Sequence, residues 1–187
     1  AGLAAGVVAR GLVDIASVTS LTSVLELRVD GSPMDIALVD IAVSNAPFVG
    51  ARAIWDMDSI SEIFLSRTDP TSIGLASIGA RLQPGAKGLH IRLGDGGTSV
   101  VAPVAPGMVS TVPVREWSDL PTGKVVEIEL RPCTVALDGE RTVALSAGKT
   151  ARVCLVVDGP RVVSVAAALD QASLAGVFTD GHVGTRS

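Results

Sequence analysis

The segment VLELRVDGSPMDIALVDIAVS, residues 24 to 44, predicts two β-strands joined by a tight turn at Asp30-Gly31-Ser32-Pro33. Apolar and polar residues alternate along it, and a period of two is typical of strands with one buried face. The same pattern recurs in LHIRLGDGGTSVVAP (89–103), VVEIELR (125–131), TVALDGERTVAL (134–145) and ARVCLVVDGPRVVSVA (151–166). We therefore expect a mainly β protein, a sandwich or barrel with a few short helices.

Composition supports this fold class and excludes several functions. The 187 residues are 48% hydrophobic and contain no tyrosine, so the core consists largely of aliphatic residues that favour strands. The net charge of −4 is spread over interspersed acidic and basic residues, which excludes the clustered basic face of a nucleic-acid-binding protein. The longest uncharged stretch, 96–114, contains three prolines and is not expected to span a membrane. No signal peptide pattern is present, so a cytoplasmic location is expected.

The cysteines and histidines give no pattern typical of a metal site. Cys133 and Cys154 lie in apolar runs without CxxC spacing, which favours buried free thiols in a reducing compartment over a disulfide or a metal site. His90 lies in a predicted strand and His182 near the end of the chain, and neither has a second ligand at a suitable spacing. We therefore expect no bound metal.

The pattern along the chain predicts three parts: a helical or irregular arm over 1–22, a β-sandwich over 23–175 and a flexible tail over 176–187. Residues 165–175 have helical composition. Thr68-Asp69-Pro70 places a capping side chain before a proline, which predicts a helix that begins at Pro70 and continues through TSIGLASIGARL (71–82). The N–H groups at such a helix start could bind an anion.

Two kinds of glycine-rich segment predict turns. Asp138-Gly139 and Asp158-Gly159 stand between predicted strands at positions that favour positive φ. LGDGGTS, residues 93 to 99, has the letters of a phosphate-binding loop. Such a loop requires a following helix, whereas VVAPVAP is strand-like and rich in proline. A hairpin turn is therefore favoured over a phosphate cradle.

Three segments occur in an order and spacing that resemble a known family: ALVDIAVS (37–44), SEIFLSRTDPTSIGLASIGARLQP (61–84) and VALDGERTVAL (135–145). They are similar to the C-terminal domain of the NAD kinase and diacylglycerol kinase superfamily, most closely to its ATP-NAD kinase-like branch typified by acetoin catabolism protein X. The resemblance extends from about Leu25 to Ser173. It implies a β-sandwich that binds a nucleotide or NAD-like substrate and forms oligomers in a phosphotransferase.

The resemblance also implies which residues contact the substrate. Asp40 stands where the family's Ala-Leu-Asn-Glu strand has its acid, and Val39 stands where that strand has its amide. The implied substrate-binding residues are Asp40, Thr68, Asp69, Thr71, Ser72, Asp138 and Glu140. Each has a simpler interpretation: Asp40 as a surface residue of a strand, the Thr68 to Ser72 segment as a helix cap, and Asp138-Gly139 as a turn. Arg52 and Arg67 could offset phosphate charge or pair with nearby acids.

The family's Gly-Gly-Asp-Gly-Thr loop, which binds ATP and supplies the catalytic aspartate, belongs to a separate N-terminal domain that this sequence lacks. The resemblance therefore implies ATP and Mg for the parent enzyme, NAD or a related acceptor as ligand, and a homo-oligomer. We expect this chain alone to be inactive and assign it no catalytic residue. The alternative is a non-enzymatic binding or assembly module, favoured by the loss of the family's glycine, tyrosine and Asn-Glu pair. A lipid kinase-like acceptor site is a third possibility, supported by Asp138-Gly139-Glu140.

Overall fold

The structure is a computed structural model that describes residues 1–46 and 57–179. The chain divides into two compact units, one made of residues 1–22 with the residues from Asp158 onward, and the other of residues 23–157. The β unit therefore ends before the predicted residue 175, because the helix predicted at 165–175 belongs to the other unit. No helix among the described residues is long and apolar enough to cross a membrane. Most of the predicted tail, residues 180–187, lies outside the described residues.

The described chain contains short helices and twelve strands in the following order. These are α1 (Gly2–Ala9), α2 (Ile15–Val18), β1 (Thr19–Leu21), β2 (Val24–Val29), β3 (Ser32–Ala37), β4 (Asp40–Ser44), a 3-10 turn (Met57–Ser59), β5 (Ile60–Leu65), α3 (Ala76–Leu82), β6 (Leu89–Ala105), β7 (Met108–Asp119), β8 (Val125–Glu127), β9 (Cys133–Leu137), β10 (Arg141–Leu145), β11 (Ala151–Val156), β12 (Arg161–Val163) and α4 (Val165–Leu174).

The unit of residues 23–157 contains two antiparallel sheets. Six strands pair in the order β10-β9-β4-β5-β6-β7, and four pair in the order β3-β2-β11-β8. The prediction of a mainly β protein with a sandwich and short helices is confirmed. The long β6–β7 hairpin forms one side of the larger sheet and extends well beyond its neighbour β5.

Both faces of the six-stranded sheet are buried, because apolar residues occupy successive positions of its central strands. In β4, Ile41 and Val43 belong to the core shared with the four-stranded sheet, whereas Ala42 belongs to a second core against α3. In β5, Phe64 lies in the first of these cores and Ile63 in the second. A strand with an apolar side chain at every position is typical of a layer buried on both sides.

Four hairpin turns were predicted. Those at Asp30-Gly31 and Asp138-Gly139 are confirmed, whereas those at Asp158-Gly159 and in the glycine-rich segment of β6 are wrong. Asp30-Gly31 and Asp138-Gly139 join paired strands, and all four residues have positive φ, as a tight hairpin requires. Asp158-Gly159 is not such a turn, because neither residue has positive φ and β12 pairs with β1 instead of β11.

The glycine-rich segment of β6 is neither a phosphate cradle nor the predicted hairpin turn. Leu93 and Thr98 both lie opposite Val114, so residues 94–97 bulge out of the strand, and the hairpin turns later at Pro106-Gly107. Gly97 is required there, because a Cβ atom would lie 2.2 Å from the carbonyl oxygen of Val114. The segment therefore serves to place extra residues within a paired strand.

The other unit contains α1, α2, α4 and the β1–β12 strand pair. Its small core consists of Ala4, Val7, Val18, Ala168 and Ala172. The first predicted arm is thus largely helical, since α1 and α2 lie within residues 1–22. The helix predicted at 165–175 is α4, whose first turn is capped by the Ser164 side chain at 3.3 Å from the N–H of Ala167.

Candidate functional site

Two parts of the predicted site, Asp40 and the turn of residues 138–140, come together at one end of the six-stranded sheet. Asp40 begins β4 and lies opposite Leu65, the last residue of β5. The N–H of Asp138, which follows β9, donates to the carbonyl oxygen of Asp40 at 2.9 Å. Since β9, β4 and β5 are neighbours in the sheet, the loop after β5 and the turn after β9 lie on either side of Asp40. The N–H of Ser66, the first residue of the loop after β5, donates to the carbonyl oxygen of Val39 at 2.9 Å. We call this region, formed by Asp40, Ser66 and residues 138–140, the Asp40 end.

The Asp138 carboxylate holds the start of β4 in place. It accepts hydrogen bonds from the backbone N–H groups of Leu38 at 2.8 Å, Val39 at 2.7 Å and Asp40 at 3.3 Å. The Arg141 guanidinium lies 3.6 Å from the same carboxylate. Its oxygens are therefore engaged by the protein itself, and the structural interpretation of this aspartate accounts for its position.

The Asp40 carboxylate is different, because no group in the described part of the chain donates a hydrogen bond to it. The residue is half-buried. The pKa of Asp40 is raised to about 6, mainly because the carboxylate is buried and secondly because the charge of Asp138 lies nearby. A partly desolvated carboxylate without a donor binds hydroxyl or amide N–H groups well, since either replaces the hydrogen bonds lost from water. Asp40 therefore has the capacity for a ligand that Asp138 lacks.

Thr68 is a buried structural residue in the loop after β5. Its hydroxyl donates to the carbonyl oxygen of Gln83 at 2.6 Å and accepts from the N–H of Ala86 at 2.8 Å. Its own N–H donates to the Ala86 carbonyl oxygen at 3.0 Å. These bonds tie the loop after β5 to the loop after α3, and they leave the hydroxyl no donor for a ligand.

Asp69, Thr71 and Ser72 form a local turn on the surface. One Asp69 carboxylate oxygen accepts from both the hydroxyl (2.7 Å) and the N–H (2.8 Å) of Thr71. These hydrogen bonds lower the pKa of Asp69, the side-chain bond contributing most. Ser72 is half-buried, and its N–H donates to the Asp69 carbonyl oxygen at 2.9 Å.

The prediction of a helix beginning at Pro70 with its first turn facing a ligand is wrong. Helix α3 begins at Ala76 and has no side-chain cap, and its first residues are buried. Gly74, with φ of 78°, precedes it and donates its N–H to the carbonyl oxygen of Pro103 in β6. The Asp69 side chain bonds within its own turn, the helix begins six residues later than predicted, and its start faces the core.

The remaining predicted residues are exposed or outside the described chain. Glu140 is exposed on the turn after β9, and within the described residues its carboxylate has no partner. Arg67 is exposed, and its charge contributes to the lowered pKa of Asp69. Arg52 lies outside the described residues. The structure thus brings Asp40, Asp138 and Glu140 to one end of the sheet. Among these three, Asp40 and Glu140 have carboxylates available to a ligand, because that of Asp138 is engaged within the protein.

Comparison with known proteins identifies the family. The sequence profile of the acetoin catabolism protein X C-terminal domain matches residues 23–158. The chain belongs to this family. The matched range coincides with the β unit of residues 23–157, so the family domain is the two-sheet body that carries the Asp40 end.

A curated relative agrees with this assignment. The acetoin catabolism protein X of Cupriavidus necator is 37% identical over 182 residues, which cover 91% of this chain and 51% of the relative. The chain therefore spans about half the length of the relative that it matches. The similarity also includes residues beyond the two-sheet body, since 91% of the chain is aligned.

The β unit contains a buried polar pair that the sequence did not reveal. Glu62 in β5 and His90 in β6 form a buried pair with 2.8 Å between a carboxylate oxygen and the imidazole Nε2. They are 28 residues apart and meet only because β5 and β6 are adjacent, so local spacing could not show the pair. Alternating polar residues in ISEIFL and LHIRL were the available signal, but they indicate a shared face only once the register is known.

The described chain contains no group of three or more His, Cys, Asp or Glu side chains that could hold a metal ion. Cys133 and Cys154 are buried free thiols. Burial is the main reason that the pKa of Cys133 is raised, which makes its thiol less reactive.

Proposed function

We propose that this domain holds the acceptor substrate of an ATP-NAD kinase-like phosphotransferase that acts in acetoin catabolism in the cytoplasm. The observation that supports this proposal is the Asp40 carboxylate, which is half-buried, lacks a donor among the described residues and has a pKa raised to about 6. Such a group is suited to accept hydrogen bonds from the hydroxyls of a ribose or a related polyol. Glu140, exposed on the adjacent turn, is a second acceptor at the same end of the sheet.

The chemistry of phosphoryl transfer allows one domain to bind ATP and another to bind the acceptor. The reaction depends on holding acceptor, phosphates and metal in one geometry, so the acceptor and the ATP can be bound by different domains. The resemblance implies that ATP and Mg would be bound by an N-terminal domain, while this chain orients the acceptor hydroxyl. We therefore expect no phosphoryl transfer by this chain alone.

An apolar strip on β3 supports the proposal that the same domain forms homo-oligomers. Met34 and Ile36 lie in β3, the edge strand of the four-stranded sheet, and Leu38 follows its last residue; they are 56%, 41% and 42% exposed. Apolar residues in a row on a sheet edge are typical of association sites. Light scattering should show an oligomer that Ile36→Glu dissociates; a monomeric wild-type chain would refute this part of the proposal.

The acceptor proposal is tested by isothermal titration of the chain with NAD and with ATP. We expect measurable NAD affinity at pH 8, lost in Asp40→Ala, and no affinity for ATP. Asp95→Asn is the matched control, because Asp95 is an exposed carboxylate on the bulge of β6 and its loss should leave NAD binding unchanged. Absence of heat with NAD, or binding that survives Asp40→Ala, would refute the assignment.

The second candidate is a non-enzymatic binding or assembly module of an acetoin catabolism protein. This candidate is favoured because three groups predicted to contact a ligand already make hydrogen bonds within the domain. They are the Asp138 carboxylate, the Thr68 hydroxyl and the Asp69 carboxylate. A module of this kind would show the oligomer described above but no heat with either nucleotide. The titration and the light-scattering measurement together therefore separate the two candidates.

A further inference from the structure

The unit that contains α1, α2, α4 and the β1–β12 pair, which we call the small unit, has a weak core for its size. It comprises residues 1–22 and the residues from Asp158 onward, and its core consists of three alanines and two valines. No leucine, isoleucine or phenylalanine in its described part is buried. Ordering each residue costs conformational entropy, so a unit this small needs more apolar burial than its own core provides.

The surface of the small unit is rich in apolar side chains. The unit contains about a quarter of the described residues but seven of the sixteen large apolar side chains that are exposed among them. Helix α1 has the sequence GLAAGVVA, with no polar side chain on any face, yet only Ala4 and Val7 are buried. Leu3 is 59% exposed. A helix that is apolar on all faces is typical of a buried position, so α1 has the composition of a helix that is covered on more sides than this chain covers.

Strand β12 has an open hydrogen-bonding edge. Within the described residues, β1 and β12 pair with each other and with no further strand. The N–H of Ser164 donates to the carbonyl oxygen of Val18 at 2.8 Å. Because hydrogen-bonded positions alternate in an antiparallel pair, Val162 bonds to β1, whereas the N–H and C=O groups of Arg161 and Val163 point to the open side.

The opposite edge of the pair, on β1, is partly closed. The Arg161 guanidinium donates to the Thr19 carbonyl oxygen at 3.1 Å and to the Thr19 hydroxyl at 2.9 Å. An isolated pair of antiparallel strands is marginally stable at best in water. A third strand would therefore fit beside β12 and not beside β1.

The curated relative contains enough additional chain to cover this surface. The β unit makes up less than three quarters of the chain, so an alignment over 91% of the chain includes most of the small unit as well. The aligned residues account for 51% of the relative. The relative therefore combines a counterpart of the small unit with about as much chain again outside the aligned part.

We propose that the small unit is the docking surface for the half of the longer protein that this chain does not contain. A strand of that half pairs with β12 through the backbone groups of Arg161 and Val163. Its apolar side chains cover α1 and the outer face of β12 at Val162, which is 48% exposed. The partner is thus a folded domain with a free strand edge and an apolar layer. This proposal does not involve the Asp40 end, so either proposal can fail without the other.

The test compares the 187-residue chain with the protein encoded by the complete reading frame to which these residues belong. Amide exchange followed by NMR reports Arg161, Val162 and Val163 separately. In the longer protein we expect the Arg161 and Val163 amides to exchange at least about tenfold more slowly than in the 187-residue chain, because they gain hydrogen-bond acceptors. The gain should be smaller at Val162, which bonds to β1 in both proteins, and absent at Leu27, whose strand β2 has neighbours on both sides.

Val162→Glu tests the apolar contact. It should leave the unfolding midpoint of the 187-residue chain unchanged, because the side chain is exposed there, and it should remove most of the added protection of Arg161 and Val163 in the longer protein. Val101→Glu is the matched control, since Val101 lies in the β unit and is 62% exposed, and it should change neither measurement.

Four results would overturn the proposal. These are a reading frame that encodes no further domain, equal exchange of Arg161 and Val163 in the two proteins, protection in the longer protein that survives Val162→Glu, and slow exchange in the 187-residue chain that depends on its concentration. The last result would identify a second copy of this chain as the partner. The exchange comparison uses the unmodified sequences, so it decides the proposal even if Val162→Glu fails to fold.

Discussion

Replacing Asp40 by asparagine should stabilise the domain at neutral and alkaline pH. Burial and the nearby Asp138 raise the pKa of Asp40 from 3.8 to about 6 in the folded state. The folded protein therefore holds this proton more tightly than the unfolded chain does. The resulting contribution to stability is fully present below pH 3.8 and is lost as the pH rises through 6. Asparagine is neutral at every pH and avoids that loss.

The size of the effect follows from the pKa difference. One pKa unit is equivalent to about 1.4 kcal/mol, so ionising Asp40 in the folded state costs about 3 kcal/mol at most. Solvent screening around a half-buried group reduces this to about 1–2 kcal/mol. About half of the cost has already developed at pH 5. The advantage of asparagine should therefore grow by about 0.5–1 kcal/mol between pH 5 and pH 8.

Urea-induced unfolding of both proteins at pH 5 and pH 8, at constant ionic strength, measures this difference directly. Glu140→Gln is the matched control, because Glu140 is an exposed carboxylate at the same end of the sheet and should change stability by less than about 0.5 kcal/mol at either pH. The reasoning is refuted if Asp40→Asn is less stable than the wild type at pH 8, or if its advantage is the same at both pH values.

Urea unfolding also tests three further predictions. Thr68→Val should lower the free energy of unfolding by about 2–3 kcal/mol, because it removes a buried hydroxyl with two backbone partners. The control Thr71→Val, at an exposed position, should lower it by about 1 kcal/mol or less. Gly97→Ala should lower the free energy of unfolding by more than about 3 kcal/mol, because the added Cβ atom would clash with backbone atoms. Gly96→Ala should lower it by about 1–2 kcal/mol, because Gly96 has a φ of 99° but open space around its Cα atom. Asp138→Ala should lose about 2–4 kcal/mol by leaving backbone N–H groups without an acceptor. Equal losses within either pair, or a neutral Asp138→Ala, would contradict the contacts described.

Alternation and turn chemistry were enough to predict the β2–β3 and β9–β10 hairpins. The segment of residues 24–44 does contain two strands of a hairpin, with Asp30-Gly31 in the conformation that a tight turn requires, followed by a third strand. These features are local, so the sequence determines them without knowledge of the rest of the fold. The resemblance then identified the family, which the profile match to residues 23–158 confirms.

The errors arose where a local signal competes with a distant contact. Thr68-Asp69-Pro70 satisfies the rules for a helix start, but the Thr68 hydroxyl bonds to Gln83 and Ala86 from the following loop instead of capping a helix. The glycines of 94–97 satisfy the rules for a turn, but β7 continues to pair on both sides of them. Capping strength and turn preference are each worth about 1 kcal/mol, which several tertiary hydrogen bonds readily exceed.

The half-buried carboxylate that retains binding capacity lies on a strand, whereas most of the loop residues to which the sequence motifs pointed are engaged within the domain. The loop residues Thr68, Asp69 and Asp138 use their oxygens to fix loop geometry. Asp40 begins β4, and its carboxylate has no hydrogen-bond partner in the described chain. Strand backbones are fixed by pairing with their neighbours, so this side chain needs no local bond to hold it in position. Glu140 is the exception among these candidates, because its carboxylate lies on a turn and has no partner among the described residues. The carboxylates and hydroxyls of the other loop candidates stabilise their own loops, so Asp40 on β4 is the stronger candidate for a ligand contact.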